Sequence, residues 1–102
     1  MINELNRKIL KGTQMENKTY IIGRRGNIQL FDKTTSSRHA ELVVLDNQMY
    51  LTDLSSTNGT YLMEQGKRKR FKEGYINLEQ TLSFGEHVCT VRELIARAEI
   101  AH

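Results

Sequence analysis

Short runs of apolar and alternating residues follow one another through the middle of the chain. The clearest pair, residues 41–45 and 48–51, flanks Asp46-Asn47. Asp and Asn tolerate the positive φ of a two-residue turn, so this stretch predicts a tight β-hairpin. Comparable runs recur with turn residues between them, at 19–22, 27–30, 61–63, 75–78, 81–84 and 87–91. Many short strands separated by turns predict an all-β sandwich or barrel.

The two ends of the chain have helical rather than strand-like patterns. Near the amino terminus, apolar residues have the spacing of one helical face, at Ile2, Leu5, Ile9 and Leu10. At the other end, Thr90 and Glu93 have the spacing of a capping box. An apolar stripe follows, formed by Leu94, Ile95 and Ala98. The pattern predicts a short carboxy-terminal helix whose stripe either packs on the sandwich or mediates self-association.

Composition narrows the class of protein. The chain has 102 residues, 38% hydrophobic and 26% charged, which is typical of one globular domain. No apolar run approaches the roughly 20 residues of a membrane span, and residues 1–8 lack the apolar core of a secretory signal. The single cysteine cannot form an internal disulfide, so we expect a cytoplasmic protein without membrane insertion. The net charge of +3 suits an anionic partner without identifying it.

Three polar clusters lie beside the predicted strand ends: Gly23-Arg24, Ser36-Ser37-Arg38-His39 and Thr57-Asn58-Gly59-Thr60. We expect them to converge at one rim of the fold, because strands of a sandwich end at its rims. They offer an arginine, hydroxyls and an amide, groups that suit binding a phosphate. They offer no general base facing a nucleophile, so they do not suit cleaving one.

No catalytic residue, metal or cofactor is expected. Candidate metal ligands are scattered without the close spacing of zinc ligand pairs, at His39, His87, His102 and Cys89. Ser36, His39 and Asp53 supply the residue types of a hydrolytic triad, but nothing around them resembles a nucleophile elbow. Cys89 lies within an apolar run and is expected to be a small core residue.

Four motifs, in order, resemble those of the forkhead-associated (FHA) domain family. They are Gly23-Arg24, Ser36-x-x-His39-Ala40, Asp53-Leu54-Ser55-Ser56-Thr57-Asn58-Gly59-Thr60, and Leu78 followed by Leu82-Ser83-Phe84-Gly85. The resemblance covers about residues 18–91. It implies an all-β, two-sheet antiparallel β-sandwich of the SMAD/FHA type that binds phosphothreonine peptides, with a short carboxy-terminal helix.

The resemblance also suggests how the chain is divided. Residues 18–91 correspond to the sandwich and residues 92–102 to the short helix. The family commonly has two strands before its Gly-Arg turn. Residues 1–17 are therefore expected to form either a helix or a degenerate first strand.

The resemblance implies a phosphopeptide-binding role for Arg24, Ser36, Ser37, Thr57 and Asn58. The guanidinium of Arg24 presents a planar set of donors to phosphate, and the Ser36 and Thr57 hydroxyls each donate one hydrogen bond. The Asn58 amide holds the ligand backbone beside the phosphothreonine. Ser37 stands where the family usually has Arg or Asn, which leaves less positive charge around the phosphate.

Supporting roles follow from the same resemblance. His39 matches a histidine that organises the loops and is not itself a phosphate ligand. Gly23 and Gly59 are also expected to organise the binding loops. Gly59 would permit a tight turn at the rim. Arg38 is a candidate helper that would compensate for Ser37 if its side chain turns inward.

The basic run Lys67-Arg68-Lys69-Arg70-Phe71-Lys72 has two interpretations. It is either a solvated hairpin loop, or a basic patch at Lys67, Arg68, Lys69 and Arg70 that borders the groove. In the second case it would favour acidic residues beside the phosphothreonine, or an anionic surface. Nucleic acid ranks lower, because only Phe71 and Tyr75 are placed to stack on bases.

The sequence therefore predicts a non-catalytic module that recognises phosphothreonine-containing protein partners in signalling or regulated assembly. The alternative is an assembly or scaffold domain of the same fold that binds its partner independently of phosphate. The serine at position 37 motivates this alternative.

Overall fold

The computed structural model describes residues 17–100 of the chain. Within them lie nine β-strands and one α-helix. The strands are β1 Lys18–Gly23, β2 Ile28–Gln29, β3 Ala40–Leu45, β4 Gln48–Asp53, β5 Thr60–Glu64, β6 Lys67–Arg70, β7 Glu73–Ile76, β8 Thr81–Phe84 and β9 His87–Thr90. The helix, α1, spans Val91–Ile100. The helix or degenerate strand expected over residues 1–17, and His102, lie outside the described residues, apart from Asn17.

The strands form two sheets, which confirms the predicted two-sheet sandwich. One sheet has the order β2-β1-β3-β4-β7 and the other the order β6-β5-β8-β9. Every pairing in the two sheets is antiparallel except that of β1 with β2, which is parallel and only two residues long. The chain crosses from the first sheet to the second between β4 and β5, through residues 54–59. This crossing carries the Thr57-Asn58-Gly59 cluster to the rim.

The core lies between the sheets because each strand turns alternate side chains inward. Strand β3 illustrates this, with Leu42 and Val44 buried and Val43 only half-buried. Phe84, from the second sheet, is the largest fully buried side chain. The core continues under α1 through Val91, Leu94, Ile95 and Ala98.

The hairpin between β3 and β4 has the predicted turn. Asp46 and Asn47 have φ angles of 52° and 65°, which are the left-handed values of a type I′ turn. Strand pairing closes directly on this turn, with Leu45 opposite Gln48. The local sequence therefore determines both the turn and the register of this hairpin.

The structure shows that one of the two interpretations of the basic run is wrong. Lys67–Arg70 is not a loop but strand β6, the edge strand paired with β5. Its hairpin turn is Gln65-Gly66, whose φ angles of 49° and 77° again match a type I′ turn. All four side chains of β6 are exposed. Charged residues are typical of an edge strand, where they discourage pairing with another chain.

Helix α1 begins with the predicted capping box. The Thr90 hydroxyl accepts from the Glu93 backbone N–H at 3.1 Å, and Glu93 Oε1 accepts from the Thr90 N–H at 2.7 Å. The stripe that follows is buried, with Leu94 0%, Ala98 2% and Ile95 8% exposed. Those three side chains pack into the core, which confirms the first of the two alternatives predicted for the stripe.

Candidate functional site

One end of the sandwich carries a polar recess of about 300 Å³. It lies where β1 ends, β3 begins, β4 ends and β5 begins, so its walls come from residues 24–39, which include the short strand β2, and from the connection 54–59. Its lining consists of Arg24, Lys33, Thr34, Thr35, Ser36, Ser37, Thr57 and Asn58. The structure thus brings together in one recess all five residues that the sequence nominated for phosphopeptide binding.

Gly23 permits the close approach of two loop backbones. A Cβ at this position would lie 2.3 Å from the Ser37 carbonyl oxygen and 2.7 Å from that of Ser36. The approach lets the Arg24 and Arg25 backbone N–H groups donate to these carbonyls, at 3.1 and 3.0 Å. The Gly-Arg turn is consequently fastened along the loop that carries the two serines.

Arg24 is exposed and positioned by the same loop. Its Nε donates to the Thr35 carbonyl oxygen at 2.6 Å. A guanidinium has five N–H donors, so this contact fixes the side chain and leaves four donors for other partners. Arg24 therefore contributes both positive charge and direction to the recess.

Two hydrogen bonds join the walls of the recess. The Thr57 backbone N–H donates to Ser36 Oγ at 3.0 Å, and Asn58 Nδ2 donates to the Thr34 carbonyl oxygen at 2.8 Å. Ser36 Oγ acts as the acceptor in its bond, so its own hydroxyl proton remains available. Asn58 likewise keeps a second amide N–H and its carbonyl oxygen. The bonds that connect the loops thus leave donors for a ligand.

His39 lies beneath the recess and is fully buried. The Ser36 backbone N–H donates to His39 Nδ1 at 3.0 Å, so Nδ1 carries no proton and the Nε2–H donates to the Gly59 carbonyl at 3.0 Å. The ring also meets the Phe84 ring edge-on, with centroids 5.6 Å apart. Burial lowers the pKa of His39, although the Gly59 carbonyl and Asp53 oppose this effect. The neutral ring joins one loop to the other.

Asp53 organises the second loop, a role that sequence reasoning did not assign. Its Oδ1 accepts from the Ser56 and Thr60 hydroxyls at 2.6 and 2.7 Å, and its Oδ2 accepts from the Ser56 backbone N–H at 3.1 Å. Burial raises the pKa of Asp53, but these hydrogen bonds outweigh it and the pKa is lowered overall. An aspartate three residues before a serine at a strand end is the signal for such a turn.

Lys33 also lines the recess and was not nominated. A lysine three residues before Ser36 in the same loop was the available signal. Arg38, which was nominated as a helper, is exposed and does not line the recess. The second cation of the recess is therefore Lys33.

The basic strand β6 reaches the same rim at its last residue, Arg70, and through the Arg68 side chain, whose Nη2 donates to the Gly85 carbonyl. A Cβ built at Gly59, where φ is +86°, would lie 3.2 Å from the Arg70 Cζ and 3.0 Å from the Tyr61 hydroxyl oxygen. Lys67 follows the hairpin turn at the opposite end of the strand. Of the four residues of the predicted basic patch, Arg70 lies beside the recess loop, and Arg68 is held at Gly85, whose backbone N–H donates to the Gly59 carbonyl.

The surroundings of His39 and Cys89 do not suit a reactive role. Both ring nitrogens of His39 are bonded to backbone groups, so the imidazole cannot accept a proton from Ser36 Oγ as a triad requires. Burial raises the pKa of the Cys89 thiol to about 12. Over residues 17–100 no three His, Cys, Asp or Glu side chains cluster as metal ligands. Residues 17–100 contain no helix with the length and apolar character of a membrane span.

Comparison with known proteins identifies similar folds. The family model for the FHA domain matches residues 20–85, more than half of the chain. A search of curated proteins found no match. Among solved structures, the FHA domain of FhaA, complexed with the intracellular domain of Rv3910, is 27% identical with a TM-score of 0.64. That match covers 74% of this chain and 80% of the other.

Two further structures extend the comparison. One comes from a structural and functional analysis of phosphothreonine-dependent FHA domain interactions. It is 26% identical with a TM-score of 0.65 and covers 74% of this chain and 77% of the other. The other is the FHA domain of CT664 from Chlamydia trachomatis, which is 28% identical with a TM-score of 0.61 and covers 72% of this chain and 74% of the other.

Proposed function

Because this chain belongs to the FHA domain family, we propose that it recognises phosphothreonine in a protein partner through the recess. The observation that carries the proposal is the convergence of Arg24, Ser36, Thr57 and Asn58 in one polar recess. The similarity to a domain studied for phosphothreonine-dependent interactions supports the same ligand. The domain would act as a non-catalytic module in signalling or regulated assembly, in the cytoplasm.

The recess has the chemistry that a phosphate group requires. Phosphothreonine carries close to two negative charges near neutral pH and has three strong acceptor oxygens. Arg24 would supply charge and paired donors, while the Ser36 and Thr57 hydroxyls would each donate one hydrogen bond. The remaining amide groups of Asn58 would hold the ligand backbone next to the phosphothreonine.

Lys33 would supply positive charge that is missing at position 37. The family usually has Arg or Asn where this chain has Ser37, and a serine brings no charge. Lys33 lines the same recess and would supply a second cation. A lysine ammonium is a point charge and not a planar fork, so it would add attraction with less directional preference.

Calorimetry with paired phosphorylated and unphosphorylated threonine peptides tests the proposal. We expect micromolar binding of the phosphorylated peptide only. Arg24→Ala should weaken this binding by about ten-fold to more than a hundred-fold, since charge-assisted hydrogen bonds contribute about 1.5–3 kcal/mol each. Arg38→Ala is the matched control, because Arg38 is exposed outside the recess, and it should leave affinity unchanged. Unchanged affinity in Arg24→Ala, with the fold intact, would remove Arg24 from the site.

A second candidate function is an assembly or scaffold domain that binds its partner without phosphate. The serine at position 37 favours it, because a single hydroxyl donor replaces the several N–H donors of the family's Arg or Asn. The paired peptides distinguish the two functions. Equal binding of phosphorylated and unphosphorylated peptides would support the phosphate-independent domain.

A further inference from the structure

Strand geometry divides the basic residues of β6 into two sets. Side chains alternate between the faces of a strand, so Arg68 and Arg70 share one face while Lys67 and Lys69 share the other. Pairing with β5 places Arg70 opposite Tyr61 and Lys69 opposite Leu62. The residues that form one charged run in the sequence therefore have different surroundings.

Of the four cations, one lies at the far end of β6 and two others contact neighbouring protein groups. Lys67 lies at the far end of β6, and Lys69 Nζ lies 3.7 Å from Glu64 Oε1. The Arg68 guanidinium covers the Tyr61 ring, 3.9 Å from its centroid, and Arg68 Nη2 donates to the Gly85 carbonyl at 3.3 Å. Arg68 thus lies near the rim with its head held against the Tyr61 ring and Gly85, whereas the described contacts of Arg70 include no hydrogen bond or ion pair.

Arg70 is within reach of a ligand held in the recess. Its Cζ lies 3.2 Å from a Cβ built at Gly59, so it is at most about 5 Å from the Gly59 Cα. Asn58, which lines the recess, is the preceding residue, so its Cα is at most about 4 Å further away. An extended peptide advances about 3.4 Å per residue, so the distance from Asn58 to Arg70 corresponds to no more than about two or three ligand residues.

The surroundings of Arg70 favour an anion at that point. The side chain is exposed, and its Cζ lies 5.7 Å from the centroid of the Tyr61 ring. The ring limits the positions open to the flexible stem and leaves the charged head in solvent. In the described part of the chain, the ion pairs within β5 and β6 do not include Arg70.

We propose that Arg70, beside the Tyr61 ring, is a second anion-binding point that selects phosphothreonine ligands with an additional negative side chain. The additional group lies within about three residues of the phosphothreonine. It is a carboxylate or a second phosphate, which share the charge and acceptor oxygens that a guanidinium binds. This inference rests on the proposed function, because the position of Arg70 has meaning only relative to a ligand in the recess.

A scan of phosphothreonine peptides tests the second anion-binding point. The parent peptide has neutral flanks, and each derivative carries one aspartate at a different position within about three residues of the phosphothreonine. With the unsubstituted domain, aspartate at one position or at two adjacent positions should raise affinity about two- to five-fold, as expected for an exposed ion pair. Arg70→Gln should remove that gain and leave affinity for the neutral peptide unchanged.

Lys67→Gln is the matched control, because it removes the same charge at the far end of the strand. It should retain the position-specific gain. Equal gains in Arg70→Gln and the unsubstituted domain, or no gain at any position, would overturn the inference. In either case, binding of the neutral phosphopeptide would still support the recess as the phosphothreonine site. Failure of every phosphopeptide to bind above its unphosphorylated form would instead overturn the proposed function, and the inference with it.

A final comparison identifies the additional group. At the sensitive position, aspartate is replaced by a second phosphothreonine. A larger Arg70-dependent gain with phosphate supports the inference with a doubly phosphorylated ligand. A gain restricted to the carboxylate supports it with an acidic segment.

Discussion

The recess and strand β6, which reaches the recess rim near Arg70, present positive charge in different ways. In the recess, two cations are surrounded by hydroxyl and amide groups whose loops are joined by hydrogen bonds. Strand β6 has four cations in succession, all exposed, and Lys69 pairs with an exposed glutamate. The difference teaches that a selective anion site depends on how a few donors are positioned. The density of positive charge along the sequence is a poor guide to it.

Removal of the His39 side chain beneath the recess should have the largest effect on stability. His39→Ala leaves a cavity beside Phe84 and deprives the Ser36 N–H and the Gly59 carbonyl of their partner. We expect a loss of about 3 kcal/mol in the free energy of unfolding, measured with urea. Lys69→Gln on β6 should cost less than about 0.5 kcal/mol. Comparable losses in the two variants would contradict the contrast between the regions.

Acidification should reversibly weaken the hydrogen bond that His39 accepts from the Ser36 N–H. The neutral His39 ring accepts from Ser36, and protonation of Nδ1 removes that acceptor. Because burial lowers the pKa of His39 in the folded protein, the unfolded chain binds the proton first. Stability should be complete above the ordinary histidine pKa of 6.5 and decline as the pH falls from 6.5 through the lowered value.

Urea unfolding at a series of pH values measures this decline. His39→Gln removes the titrating ring, so its stability should be flat just below pH 6.5. Asp53 should act at lower pH, since its pKa is lowered from 3.8 and its contribution declines below that value. A decline below pH 6.5 that persists in His39→Gln would assign the effect to another group.

The smallest expected effect compares equal charge changes in the two regions. Lys33→Gln removes a cation of the recess and should weaken phosphothreonine-peptide binding about two- to five-fold, without a change in stability. Lys69→Gln removes the same charge from β6 and should leave binding unchanged. Adding Ser37→Arg to Lys33→Gln should restore affinity, because the arginine supplies the charge that position 37 lacks. Calorimetry that shows equal losses in both lysine variants would indicate a diffuse electrostatic attraction.

The sequence predicted features that depend on neighbouring residues. The Asp46-Asn47 turn and the Thr90–Glu93 capping box follow from local backbone preferences, and both formed as expected. Strand β6 was missed as a strand because its residues show no apolar alternation, and its pairing partner, β5, is defined only by the fold. Burial of the α1 stripe against the sandwich is likewise a tertiary property.

The candidate site shows the same division. Ordered motifs drew attention to the residues that line the recess, because each motif lies at a strand end. Lys33 was missed because a single lysine in a loop resembles any solvated charge. Arg38 was nominated although its side chain lies outside the recess, since sequence spacing does not determine where a loop side chain points. Placing loop side chains requires the backbone contacts between the loops.

The Thr57–Ser36 and Asn58–Thr34 bonds have a consequence for how quickly a ligand arrives and leaves. Both bonds run between protein groups, so they need no ligand atom to form. A peptide would therefore meet loops that are already ordered, and association would need little rearrangement of the protein. Ligands of different sequence should then associate at similar rates and differ chiefly in the time they remain bound. For a module that reads a reversible mark, residence time would decide which partners stay engaged.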